Sequence, residues 1–259
     1  MLRKHLPVYL RTCLALVVMS NGLHAQTLSA EKERGEEYNN LGVQQMAAGN
    51  YYAAIQAFKQ AIVSNPLDPA TAYNLGTAYY LTTQYERAII YLQRAIDLDQ
   101  SFAAAYNQIG VVYSDLAQYD KAVDSFNRAI QHQPNAVRFY NLGCVYIRLR
   151  DYKAAVESLT QALRFQPDNA EALVILGYAY AQQKHYSKAF VFVRKAVRLQ
   201  PKLVEAEALL GFLYLVTNDR SSAIQQYQVL KDLDVGAAQE LYAQIYRRRI
   251  VDAAALVTR

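Results

Sequence analysis

Past residue 25 the chain holds two histidines, His132 and His185, and one cysteine, Cys144. A metal site needs His, Cys or carboxylate ligands clustered at ligand spacing. The two histidines stand 53 residues apart with no such company. Cys144 has no paired histidine to act as its base and no second cysteine beyond residue 25 to form a disulfide. The glycines form no phosphate-binding loop, and the carboxylates are scattered along the chain without an apolar-flanked pair. These residue types argue against an enzyme and give no cofactor or metal site. The chemistry that does recur is that of the carboxamide. Asn40, Asn74, Gln108 and Asn141 each stand two residues before a glycine, at 42, 76, 110 and 143. A carboxamide both donates and accepts, so a row of them suits the backbone of an extended peptide whatever its sequence. The competing reading pairs these amides with a neighbouring helix or with water. Tyr73 and Tyr140, one position earlier, add rings and hydroxyls.

The elements that carry these side chains follow from a repeat. Leu or Ile precedes Gly at Gly42, Gly76, Gly110, Gly143, Gly177 and Gly211, with spacings of 34, 34, 33, 34 and 34. Twelve residues after each Gly comes Ala54, Ala88, Ala122, Ala155, Ala189 or Ala223. Seven further on stand Ala61, Ala95, Ala129, Ala162 and Ala196, with Leu230 in the sixth copy. Pro66, Pro134, Pro167 and Pro201 share the next column, where Gln100 and Val235 are the exceptions. Small residues let two antiparallel helices approach, so Gly on the first helix is expected to face Ala on the second. Proline, with no amide proton, ends the second helix. Apolar residues fill the inward sites at helical spacing, as in Tyr106, Ile109, Tyr113 and then Val123, Phe126, Ile130.

This pattern, with a Tyr column at Tyr51, Tyr85, Tyr119, Tyr152 and Tyr186, resembles the tetratricopeptide repeat family. The resemblance implies an all-α, right-handed superhelical solenoid. Six helix-turn-helix repeats fall at 35–68, 69–102, 103–135, 136–169, 170–203 and 204–237. Residues 238–259 are expected to form a capping helix and tail, entered by a turn at Asp234-Val235-Gly236.

In that family the first helices line a concave groove, which implies a peptide-binding role for Asn40, Tyr73, Asn74, Gln108, Tyr140, Asn141 and Tyr178. The amide row is similar to the asparagine ladder in the superhelical part of O-linked N-acetylglucosamine transferase. It gives way to Ile175 and Leu209, which with Val174, Phe212, Leu215 and Val216 make an apolar face. The expected cover for that face is the chain's own terminal helix, or else a partner helix or second copy. Family members that clamp the acidic C-terminus of chaperones use lysines, arginine and asparagines; only Asn74 matches here. Asn39, Val43, Ala104 and Gln108 occupy the other clamp positions, so that partner is not expected.

Residues 1–25 read as a secretory signal peptide. Arg3, Lys4 and Arg11 surround the start, residues 13–19 are apolar, and Leu23-His24-Ala25 offers a cleavage site; a mitochondrial presequence is the rival. The apolar run is too short to span a membrane, so no stable insertion is expected. Removing this leader lowers the formal charge from +5 to +2, which withdraws the compositional support for nucleic-acid binding. Residues 26–34 form a polar lead-in, with Ser29, Glu31 and Glu33 placed to cap the first helix. Arg247, Arg248 and Arg249 are the one basic cluster noted, read as a solvated helix end. The function expected is a non-catalytic scaffold of the periplasm or a similar exported space, binding a protein or peptide, with homo-oligomeric assembly through the apolar repeats as the alternative.

Overall fold

The computed structural model describes the backbone of residues 8–257 and the side chains of residues 27–246. Among them the chain forms thirteen helices and no strand. Two compact units divide it, one through Val112 and one from Tyr113. The first unit holds α1 (Val8–Ala47), α2 (Tyr51–Ser64), α3 (Pro69–Leu81) and α4 (Tyr85–Leu98), and the division falls inside α5 (Ala103–Asp115). The second unit holds α6 (Tyr119–His132), α7 (Ala136–Arg148), α8 (Tyr152–Phe165), α9 (Ala170–Gln182), α10 (Tyr186–Leu199), α11 (Val204–Val216), α12 (Arg220–Leu233) and α13 (Val235–Val257). In the first unit α1 pairs with α2 and α3 with α4, while α2 packs on α3 and α1 touches α3. In the second unit α7, α9 and α11 touch in succession, and α8, α10 and α12 pair with them from behind.

Four of the pairs close on their glycine, at Gly42, Gly76, Gly143 and Gly177, but not as the small-on-small expectation has it. The alanines at +12 are fully buried, yet the space of the missing Cβ belongs to a large side chain sixteen residues on. A Cβ on Gly42 would sit 2.4 Å from the Phe58 ring, on Gly76 2.7 Å from Leu92 Cγ, and on Gly143 2.6 Å from Leu159 Cγ. On Gly177 it would sit 2.5 Å from Val193 Cγ2. The glycine is a notch for an apolar knob, and burying each such knob contributes about 2 kcal/mol.

The corner between paired helices is a left-handed cap. Gly49, Thr83, Ala117, Arg150, Lys184 and Asn218 all adopt positive φ, from 55° to 77°. Around Thr83 the backbone makes both bonds of the Schellman motif, Gln84 N–H to the Tyr79 carbonyl and Thr83 N–H to the Tyr80 carbonyl, each 2.9 Å. Only Gly49 and Asn218 have side chains suited to this conformation, so packing of the helix pair holds the others there.

Helix ends otherwise follow their residues. Pro66, Pro134, Pro167 and Pro201 come one residue past the capping positions of α2, α6, α8 and α10. Where Gln100 replaces proline, the Asp99 carboxylate accepts from the Ser101 backbone N–H at 2.9 Å and turns the chain instead. Leu230, standing where the other copies have alanine, is fully buried.

Two expectations at the ends are corrected. Residues 26–34 are part of α1 rather than a lead-in, and Ser29 lies inside the helix, its hydroxyl 3.5 Å from Glu33 Oε1. Leu28 and Ala30 to Arg34 are good helix formers, and residues 26–34 hold no proline or glycine to stop one. At the other end, Val235 and Gly236 are already helical, because the Asp234 carboxylate accepts from the Ala237 N–H at 2.7 Å and starts α13 there. The side chains of residues 1–25 and of Arg247, Arg248 and Arg249 lie outside those described. Among the described residues no helix is long and apolar enough to cross a membrane.

Candidate functional site

The first helices of the second unit carry a continuous apolar strip. The side chains of Asn135 and Asn169 cap α7 and α9 by accepting from the N–H groups of Arg138 and Ala172, each 2.9 Å, which fixes the phase of both helices. Leu203 makes no such cap for α11, and Glu205 and Glu207 occupy its first turn, where the helix dipole favours negative charge. With these phases set, Val174 and Ile175 of α9 and Leu209 of α11 form the floor of a 360 Å³ cavity, walled by Cys144, Ile147, Arg148, Tyr178 and Glu205. A second cavity of 200 Å³ shares Val174, Ile175 and Glu205 and extends to Tyr140 and Glu171. The floor is aliphatic, and Glu171 and Glu205 stand one repeat apart at the start of their helices.

Tyr140 and Cys144 are neighbours in this wall. The Tyr140 hydroxyl lies 3.5 Å from Glu171 Oε2 and contacts the Cys144 thiol. Burial raises the phenol well above its usual range, with Cys144 and Glu171 adding to the effect. Burial also pushes the Cys144 thiol up to about 11, against the lowering influence of the Tyr140 hydrogen bond. Both groups are therefore protonated at neutral pH, and Cys144 is a poor nucleophile. Tyr178, on the rim, also titrates high, first from burial and then from its contact with Tyr152.

The expected apolar face divides in two. Leu215 is buried in a cluster with Leu230, Ala238, Leu241 and Ile245, so α13 packs over it. Gly211 receives Leu241 of α13 as well, a Cβ there lying 2.5 Å from Leu241 Cδ2. Phe212 is only half-buried and lines a 310 Å³ cavity with Tyr178, Leu209 and Leu241. Leu209 lies between this cavity and the 360 Å³ one, while Ile175 lines only the cavities that α13 does not border.

In the first unit the amides behave differently. Asn74 Nδ2 donates to Asn39 Oδ1 at 3.0 Å, a bond from α3 to α1. The partner is Asn39, not the Asn40 of the expected row; Asn40 is exposed. Tyr73 packs edge-on against Phe102, with centroids 5.3 Å apart. Gln108 on α5 is half-buried, as is Asn141 on α7 of the second unit.

Comparison with known proteins bears on this architecture. Models described as tetratricopeptide repeat match residues 40–101, 103–136 and 140–204, well over half of the chain. The chain belongs to the tetratricopeptide repeat family. The matched residues end at the start of α11. Hsp70-Hsp90 organizing protein 2 of Arabidopsis thaliana is 27% identical over 119 residues, 43% of this chain and 21% of that protein. BBSome complex member BBS4 of Xenopus tropicalis is 31% identical over 101 residues, 39% of this chain and 20% of its own length. The chain thus spans about a fifth of each of these relatives. Among solved structures, YrrB, described as a tetratricopeptide repeat protein with an unusual peptide-binding site, aligns with a TM-score of 0.63 at 26% identity, covering 72% of this chain and 97% of that one. PilF of Pseudomonas aeruginosa aligns with a TM-score of 0.73 at 20% identity, covering 83% and 99%, a likeness of fold.

Within this tetratricopeptide array three groove residues escaped sequence reasoning. Cys144 follows Gly143 as Tyr178 follows Gly177 and Phe212 follows Gly211, so the column itself marks it as a groove residue. Glu171 and Glu205 share another column, six before the glycine, among carboxylates that read in sequence as scattered.

Proposed function

We propose that this chain is a non-catalytic interaction scaffold that holds a polypeptide segment against the first helices of its second unit. The observation that carries the reading is the aliphatic floor of Val174, Ile175 and Leu209, left open although α13 covers the adjoining Leu215. An apolar side chain of the partner fills the 360 Å³ cavity, and a lysine or arginine next to it meets Glu171 or Glu205. Tyr140, Asn141 and Tyr178 supply polar contacts along the edge. In the first unit, Asn40, Tyr73, Asn74 and Gln108 offer amide and phenol groups to a peptide backbone; Asn74 keeps its carbonyl for this while one N–H is held by Asn39.

The family supports protein binding, and its named relatives include co-chaperone organizers. Hsp70 or Hsp90 tails are nonetheless poor candidates for this chain, whose clamp positions hold Asn39, Val43, Ala104 and Gln108. The basic and apolar character of residues 1–25 supports export, with the scaffold acting in a periplasmic or similar space. Self-assembly through the apolar repeats is the weaker reading, because α13 already occupies Leu215.

Selection of a random peptide display library on the full chain tests the groove. The expected winners carry an aliphatic residue beside a lysine or arginine and lose binding to the Ile175→Asp/Leu209→Asp variant. Peptides that bind this variant as well as the parent would remove the groove from consideration.

A further inference from the structure

Between Glu171 and Glu205 the chain has no acidic residue, while Lys184, Lys188, Arg194, Lys195, Arg198 and Lys202 all fall in that interval. Four of these cations are on α10, which carries no acid. The other second helices are mixed or nearly uncharged. Helix α4 sets Glu86 and Asp97 against Arg87 and Arg94, and α6 sets Asp120 and Asp124 against Lys121 and Arg128. Helix α8 has Glu157, α12 has Asp232, and α2 has Lys59 as its only charge. A face evolved only for solubility intersperses both signs, and α10 does not.

The cations share the solvent face of α10 with an apolar residue. Ser187, Val191, Arg194 and Arg198 recur at helical spacing, and Val191 is 64% exposed. Together with Phe190 they line a 450 Å³ cavity open to solvent. The Arg194 guanidinium lies over the Phe190 ring, 4.9 Å from its centroid, and donates to the Tyr214 hydroxyl at 3.4 Å. That contact fixes its plane and leaves other N–H groups facing outward. Arg198 has no hydrogen bond or ion pair among the described residues. Lys195 is tied to Asp168 at 2.9 Å and to the Pro167 carbonyl at 2.6 Å, so it adds little to the surface.

We infer that the solvent face of α10 docks on the surface of an anionic phospholipid bilayer. Arg194, Arg198 and the Ser187 hydroxyl take a headgroup phosphate in the cavity, and Val191 enters the headgroup layer. Lys184, Lys188 and Lys202 add attraction to the charged leaflet. The exposed Val191 favours a lipid surface over a nucleic acid, which would stack bases on exposed rings rather than bury an aliphatic side chain. This surface belongs to a second helix and is distinct from the groove, so neither reading depends on the other.

Flotation of the full chain with vesicles of phosphatidylglycerol and phosphatidylcholine in equal parts, beside vesicles of phosphatidylcholine alone, tests the inference. Binding is expected to the anionic vesicles only and to weaken with salt. Arg194→Gln with Arg198→Gln should lower it about 25-fold, at about fivefold per cation, and Val191→Asp should lower it further. Ile90→Asp, at the matching exposed position of the charge-balanced α4, should leave it unchanged. These substitutions are at exposed sites, and an unaltered melting curve confirms the fold of each. Equal binding to both vesicle types, binding retained by the double arginine variant, or no vesicle binding would each overturn the inference. A single-stranded oligonucleotide bound more tightly than vesicles, with no loss in Val191→Asp, would reassign the face to a polyanion.

Discussion

The first helices of the two units are built on one packing rule and present opposite chemistry. In the first unit, Asn74 of α3 reaches Asn39 of α1 through a hydrogen bond, so the face is polar and partly satisfied from within. In the second, Val174 and Ile175 of α9 and Leu209 of α11 pack on the core and turn an aliphatic strip toward a 360 Å³ cavity. The glycine notch is common to both: Gly76 takes Leu92, and Gly177 takes Val193. Packing is thus held fixed by one set of columns while recognition varies in another, which is how a repeat array changes its ligand without changing its fold.

The largest effects should be those that break the shared rule. Gly76→Leu and Gly177→Leu are each expected to cost about 3 kcal/mol by overpacking the helix crossing, and thermal melting should show similar losses in both units. A loss confined to one of them would mean that the notch is not equivalent. Next comes the groove: Leu209→Asp should weaken binding of a selected peptide roughly tenfold or more, and because Leu209 also packs on two core clusters the comparison is made well below the variant's melting temperature. The same peptide titrated against Asn74→Ala should lose less, about fivefold, since one backbone hydrogen bond goes and the aliphatic floor stays.

Thr83→Gly should stabilise the first unit by about 1 kcal/mol, because a β-branched residue is strained at φ 58° and glycine is not. A denaturant midpoint that falls instead would show that the Thr83 side chain contributes more than its strain costs. Smallest is the removal of one hydrogen bond: Asn74→Ala should cost about 1 kcal/mol or less in stability.

A pH profile sharpens the contrast from the other side. Glu207 of α11 is buried, accepts a hydrogen bond from Gln226 of α12, and has its carboxyl raised above the ordinary 4.5, mainly by burial. Above 4.5 the unfolded chain releases a proton that the folded one retains, so stability falls as pH rises through that window. Glu207→Gln should therefore melt higher at pH 7, with the advantage closing as the pH approaches 4.5. An advantage that is constant across pH would remove Glu207 as its source.

Much of this architecture was legible in the residues. The Leu-Gly pairs and proline column mark the helix pairs because backbone approach and a missing amide proton act locally. What was misread depends on the depth of a neighbour's side chain. Spacing places Ala54 and Gly42 in one crossing, whereas the side chain that fills it is Phe58. The left-handed corners at Thr83, Ala117, Arg150 and Lys184 were hidden for a related reason, since nothing in those side chains asks for positive φ. The amide row was found by periodicity, whereas the bond from Asn74 goes to Asn39, one residue off the column, because helix phase decides which amide faces its neighbour. Phe212 and Leu215 looked alike in sequence, and α13 separates them.

Leu241 enters the notch of Gly211 from the helix that follows the last pair. In a one-dimensional array each copy is stabilised by its neighbours on either side, and an end copy lacks one of those terms, so it frays. By seating a side chain in the terminal notch, α13 supplies the missing boundary term. Amide protons of α11 and α12 should then exchange at the rate of the array's interior.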